Sequence, residues 1–198
     1  MTVPSLGIFT AGQILTSDDM NETGSAVNGL GMFIVTSGTV TSGSSFDVNS
    51  CFTSDYDSYK IVLSNIRVAA TTPDIQLRLM NGATPISAGY FYGITRVDIG
   101  AGTSSIVAGN GLTLWATGCI AGTTSTMASF EIHGPNSTQQ KSFNSQATDS
   151  RGATSYQGIS VAGTCTSTTA CTGLRVLTAS STFTNCNYKI YGYRNSYS

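Results

Sequence analysis

From Met32 to the end of the chain, apolar and polar residues tend to alternate one by one, the period of a strand half-buried in a sheet. Ile75-Gln-Leu-Arg-Leu-Met alternates cleanly. So does Ala128-Ser-Phe-Glu-Ile-His, which sets Ala128, Phe130 and Ile132 inward and Ser129, Glu131 and His133 outward. Tyr59-Lys-Ile-Val-Leu-Ser-Asn-Ile alternates in part. The pattern predicts strands over residues 32–36, 46–52, 58–68, 74–81, 89–99, 111–116, 126–133, 140–145, 155–162, 173–177 and 186–194. Turn chemistry recurs between them: Thr-Ser-Gly at 41–43, Asn-Gly at 81–82, Gly-Asn-Gly at 109–111 and Gly-Pro-Asn at 134–136. Residues 101–110 are rich in glycine and serine and are expected to form a mobile surface loop.

The two ends differ. In Tyr188-Lys-Ile-Tyr-Gly-Tyr, Tyr188 and Ile190 share one face while Lys189, Tyr191 and Tyr193 share the other. Such a strand is expected to pin the terminus into a sheet and to finish the domain. Residues 1–30 instead carry one helix start: Thr16 or Ser17 as cap, then Asp18 and Asp19 in the first turn, where the helix dipole favours negative charge. Asn28-Gly29 would stop that helix. So short a helix cannot bury its apolar side alone. Ile8, Phe9, Ile14, Leu15, Met20 and Val27 must therefore pack on the domain, on another subunit or on another protein.

Many short strands joined by Gly/Ser/Thr loops predict an all-β fold, a two-sheet antiparallel sandwich. About eight core strands with long connections favour a jelly roll. An immunoglobulin-like sandwich is the alternative, but its Cys…Trp…Cys spacing is not evident. The expected organisation is an anchoring segment, helical or extended, over 1–30, followed by a β-sandwich over 31–198.

Composition narrows the partners. Charged residues are 10% of the 198, against a typical share of about 25%, and the formal net charge is −1. The nine basic residues are scattered singly, so no nucleic-acid surface is expected. No apolar run approaches the roughly 20 residues of a spanning helix, so no membrane insertion is expected. Met1-Thr-Val-Pro-Ser-Leu-Gly lacks the cationic start and apolar core of a signal peptide, which predicts synthesis in a cytoplasm without export by the general route. Cys51, Cys119, Cys165, Cys171 and Cys186 include no CxxC pair and are expected to be buried thiols. One disulfide among Cys165, Cys171 and Cys186 is the alternative.

No catalytic motif stands out in the sequence. His133, the one histidine, lies on an alternating strand with no Gly-x-Ser-x-Gly elbow to accompany it. The acids Asp55, Asp57, Asp74, Asp98, Glu131 and Asp149 do not form an obvious pair of the kind glycoside hydrolysis needs, and Asp55-Tyr-Asp57 reads as a turn. The glycine-rich stretches match neither phosphate-loop form. A non-enzyme with no catalytic residue, cofactor or metal site is expected. Tyr90-Phe91-Tyr92 stays open between Phe91 in the core with the tyrosines covering a sheet edge, a subunit interface, and a ligand platform. Trp115 is expected in the core or at an interface.

Two stretches carry a resemblance. Phe9-Thr-Ala-Gly-Gln-Ile-Leu-Thr-Ser-Asp-Asp-Met-Asn is similar to an N-terminal segment common in tail and fibre proteins of tailed bacteriophages. Tyr56-Asp-Ser-Tyr-Lys-Ile-Val-Leu-Ser-Asn-Ile, together with Thr172-Gly-Leu-Arg-Val-Leu and Tyr188-Lys-Ile-Tyr-Gly-Tyr-Arg194, resembles the β-domains of phage tail-fibre, tail-tip and head-fibre-like proteins. The resemblance implies a virion structural protein, a β-sandwich assembled as a symmetric oligomer, most often a homotrimer. It implies anchoring through the N-terminal segment (Phe9, Ile14, Leu15 and Met20) on tail or capsid proteins, and host adsorption by the β-domain through a surface glycan. No motif of the family carries individual receptor residues. Tyr90, Tyr92, Tyr191 and Tyr193 are the candidate interface or receptor contacts. The chain lacks the long shaft of many fibres, which keeps capsid decoration (a cement or head-fibre protein) and a carbohydrate-binding module open as alternatives.

Overall fold

The computed structural model describes residues 31–70, 73–150 and 156–194. The anchor predicted over 1–30, with Phe9, Ile14, Leu15 and Met20, lies outside them. Thirteen strands run through the described residues: β1 (Gly31–Val40), β2 (Ser45–Val48), β3 (Ser58–Val68), β4 (Asp74–Asn81), β5 (Thr84–Pro85), β6 (Tyr90–Asp98), β7 (Thr103–Leu112), β8 (Trp115–Ile120), β9 (Thr126–His133), β10 (Lys141–Ser150), β11 (Tyr156–Cys165), β12 (Gly173–Thr178) and β13 (Phe183–Arg194). The protein is all-β, and every strand pairing among the described residues is antiparallel.

The strands form two sheets. The larger is ordered β1-β13-β3-β9-β10-β11-β6-β7, and the smaller β2-β12-β4-β5, with β8 also on β4. Early strands pair with late ones: β1 with β13, β2 with β12, β3 with β9 and β4 with β8. These pairs alternate between the sheets, so the chain runs as one long double ribbon folded over on itself. Two excursions add the rest. Strands β5 to β7 leave between β4 and β8, and β10 and β11 leave between β9 and β12. Beyond β9 they extend the large sheet as β10-β11-β6-β7.

One hydrophobic core joins the inner faces of both sheets. Ile61 and Leu63 from β3, Ala128, Phe130 and Ile132 from β9 and Ile190 from β13 meet Leu77 and Leu79 from β4 and Leu174 and Val176 from β12. Trp115 crosses from β8 to stack on Phe143 of β10, ring centroids 4.7 Å apart at 12°, and takes Tyr90 edge-on at 5.1 Å. Its indole N–H donates to the Thr164 carbonyl at 3.0 Å, so the buried ring leaves no polar atom unpaired. Fully burying such a ring contributes about 3–5 kcal/mol by the usual large-to-alanine cost.

All five cysteines are free and buried. Burial pushes the Cys51 and Cys186 thiols up to about 12 and the Cys171 thiol up to about 11. Lys141 is also fully buried, and its Nζ donates to the Ser167 carbonyl at 2.8 Å, tying the loop after β11 to β10. Burial lowers its pKa, against the pull of the Cys171 and Cys165 thiols.

The expected mobile loop over residues 101–110 is instead β7, paired with β6 from Asp98↔Thr103 to Tyr90↔Leu112. The pattern missed it because β7 is exposed nearly throughout, so neither face carries an apolar period. The Gly-Asn-Gly at 109–111 is accordingly an irregularity within this strand, and the chain turns at 113–114 to enter β8.

Candidate functional site

The outer face of the large sheet holds the groups that the core does not use. Strand period sets which side chains arrive there. On β3 they are Ser58, Lys60 and Val62; on β9, Met127, Ser129, Glu131 and His133; on β10, Ser142, Asn144, Gln146 and Thr148. Register then lines them up across strands. Lys60 stands opposite Glu131, and Glu131 opposite Asn144. In the next row Val62, Ser129, Gln146, Ser160 and Thr95 follow one another from β3 to β6.

Two depressions result. A polar groove of about 380 Å³ is lined by Lys60, Ser129, Glu131, Asn144, Gln146 and Ser160, with Ser145 in its floor. Beside it an apolar trough of about 600 Å³ lies among Val97, Ile99, Met127, Thr148, Gly158 and Ile159. A Cβ at Gly158 would meet nothing within 4 Å, so this glycine leaves the trough floor open.

Strand β13 runs beside β3 next to the polar groove. Tyr193 donates its hydroxyl hydrogen bond to Glu131 Oε1 at 3.3 Å, and Tyr191 sits opposite Lys60. Burial first, and then the Glu131 carboxylate, raise the Tyr193 pKa, so the phenol stays a neutral donor. Further along the same face, Ser58 Oγ and His133 Nδ1 are 2.9 Å apart. A hydroxyl on an imidazole is two-thirds of a nucleophilic triad, but the third member is missing: no carboxylate is bonded to His133 among the described residues. Glu131 is also the single carboxylate among the residues lining the groove, whereas glycoside cleavage needs two.

Four other acids have structural partners. Asp47 takes a two-point ion pair from Arg175 at 2.6 and 2.7 Å, Asp98 accepts from the Ala101 amide, and Asp74 lies 3.7 Å from Arg96. Asp55 and Thr53 tie the turn before β3. Among the described residues no cluster of three or more His, Cys, Asp or Glu could hold a metal ion.

The four tyrosines singled out as contacts divide. Tyr191 and Tyr193 reach the outer face as the alternation of β13 predicts. Tyr90 does not: it is fully buried, with its hydroxyl accepting from the Leu79 amide and donating to the Ile86 carbonyl. It is therefore a core residue and not a contact. Tyr92 shares its inward face, half-buried at the rim over Gly109 and Gly163, while Phe91 points outward, the reverse of the arrangement with Phe91 in the core. Period two fixed which residues share a side, and only the position of the second sheet decides which side is covered. The residues missed, Lys60, Asn144 and Gln146, were legible as outward positions; what brings them together is register between strands far apart in sequence.

No protein-family model, no curated protein and no solved structure matches the chain.

Proposed function

We propose that this chain is a non-enzymatic structural protein of a tailed-bacteriophage virion. In this reading it is a short tail-fibre or tail-appendage subunit that attaches through residues 1–30 and takes part in host adsorption. Its β-domain is read as a jelly roll with a four-strand extension. The observation that carries this is the strand pairing. Numbered among themselves in chain order, β1, β2, β3, β4, β8, β9, β12 and β13 are ordered 1-8-3-6 in one sheet and 2-7-4-5 in the other. That is a ribbon of four antiparallel pairs rolled into two layers, the plan of capsid and lectin domains. The low charge and the exposed apolar residues of the large sheet support assembly with other proteins and with further copies.

The test is gold-labelled antibody on intact particles of the phage that encodes the chain, viewed by electron microscopy. Signal at the tail supports the adsorption role. Signal spread over the head makes the chain a capsid decoration protein instead, and absence of signal overturns the virion reading.

A second reading has its own observation. The groove bounded by Lys60, Glu131, Asn144 and Gln146 beside Tyr191 and Tyr193 combines hydrogen-bonding side chains with aromatic faces, which suits a neutral saccharide. Saccharide binding by the isolated protein, lost in Asn144→Ala with Gln146→Ala, would favour it.

A further inference from the structure

We propose that the free edge of β7 pairs with β7 of a second copy of this chain, antiparallel about a two-fold axis at Ile106. Strand β7 closes the large sheet, and among the described residues β6 is its one strand partner, so its other side presents a row of backbone donors and acceptors. It is ten residues long and uncharged. Natural edges of that length are blunted by charges, prolines, bulges or covering loops. On the opposite edge β1 carries such a break, between Ile34 and Thr36. On β7 the pairing is irregular only near Leu112, which leaves Thr103–Gly109 unbroken. Apolar side chains stand uncovered on both of its faces: Ile106 is 81% exposed on the outer face and Val107 41% on the inner.

An occupant of this edge must itself be a strand. A second β7 fits for two reasons. A two-fold axis perpendicular to the sheet keeps outer face with outer face, so facing residue numbers must sum to an even number. Placing the axis at Ile106, the midpoint of the unbroken run, sets Ile106 against itself, Ser105 against Val107, Ser104 against Ala108 and Thr103 against Gly109. Self-pairing also brings any charge near the axis close to its like, and β7 has none. The inference does not depend on the virion reading, and it differs from the trimer that the resemblance implies.

The experiment is light scattering on the full chain after size exclusion over a range of concentrations. The expected species is a dimer, twice 20.6 kDa. Ile106→Lys should raise its dissociation constant at least tenfold by setting two cations face to face. Met127→Lys, on the same sheet face but on β9, should leave it unchanged. Both sites are more than half exposed, so both variants should fold, each with the parent's circular dichroism. Amide exchange on the parent should show residues 103–109 protected on dimerisation. Any mass other than the dimer's, a trimer included, or a dimer that survives Ile106→Lys, overturns the proposal.

Discussion

Tyr90 and Tyr193 are the same residue type on strands of the same sheet, and only one can meet a partner. Tyr90 faces the smaller sheet, and its hydroxyl is consumed by two backbone groups; Tyr193 faces away from it and meets Glu131. Ile190 makes the stakes of facing measurable. It is fully buried on β13, between β1 and β3. An aspartate there would be an unpaired buried charge, costing more than about 4 kcal/mol from a typical total of about 5–15. Ile190→Asp should therefore fail to fold, seen as loss of soluble protein; a soluble variant with unchanged melting would contradict the inward facing. The buried thiols give a pH signature. Cys51, Cys171 and Cys186 have pKa values raised by burial above the ordinary 9.0, so the unfolded chain loses these protons first. Their stabilising contribution is complete below pH 9 and is lost as pH rises toward 11–12, about 1 kcal/mol for each thiol by pH 10. Lys141, lowered in the fold, works in the opposite direction below 10.5, but it is one group against four thiols, since burial raises Cys165 as well. Melting temperature should fall between pH 9 and 10.5, and Cys51→Ala with Cys186→Ala should flatten that fall while lowering the starting value.

Whole strands were legible where one face is buried and the other is not. Residues 58–68, 74–81 and 126–133 were bounded as β3, β4 and β9 are, because inward residues such as Ile61, Leu77 and Phe130 alternate with polar neighbours. Strand β7 was unreadable for the converse reason, and β8 for another: Trp115–Ile120 is buried at every position, so no alternation exists to detect. Its geometry is also irregular. Asp74 of β4 faces Ile120 and Gln76 faces Ala116, so β8 holds two more residues than β4 over this stretch. Gly118 sits in that bulge at φ +71°, where an added Cβ would come within 2.5 Å of Ile159 Cγ2. Gly118→Ala would combine a left-handed backbone penalty of about 1–2 kcal/mol with overpacking of about 1–3. Gly82 separates the two effects, since it is left-handed at φ +57° with nothing within 4 Å of an added Cβ. Thermal unfolding should show Gly118→Ala losing about twice as much stability as Gly82→Ala, or more. Equal losses would mean that β8 moves aside and that the layers are less tightly packed than the bulge implies.

At the scale of the molecule, the two-layer plan was legible and its enlargement was not. Strand count and turn spacing predict a sandwich, but the excursion strands β10, β11, β6 and β7 widen one sheet to eight strands through one long-range pairing, β11 on β6, that joins residues as distant in sequence as Cys165 and Tyr90. The outer-face grooves exist because of that widening: the trough draws residues from β6, β9, β10 and β11. The widened sheet also bears on the role of the N-terminal segment. The core cluster of the described residues draws on both sheets, with Trp115 bridging them, and the anchor reading assigns residues 1–30 to attachment and not to this core. Deleting residues 1–28 should therefore leave the melting temperature within a few degrees of the parent's while abolishing incorporation into particles, checked by calorimetry and by probing purified virions. If the deletion protein is unfolded, those residues are part of the domain and not its attachment. If it folds and still enters particles, attachment runs through the β-domain, and the uncovered surface of the large sheet is the place to look for it.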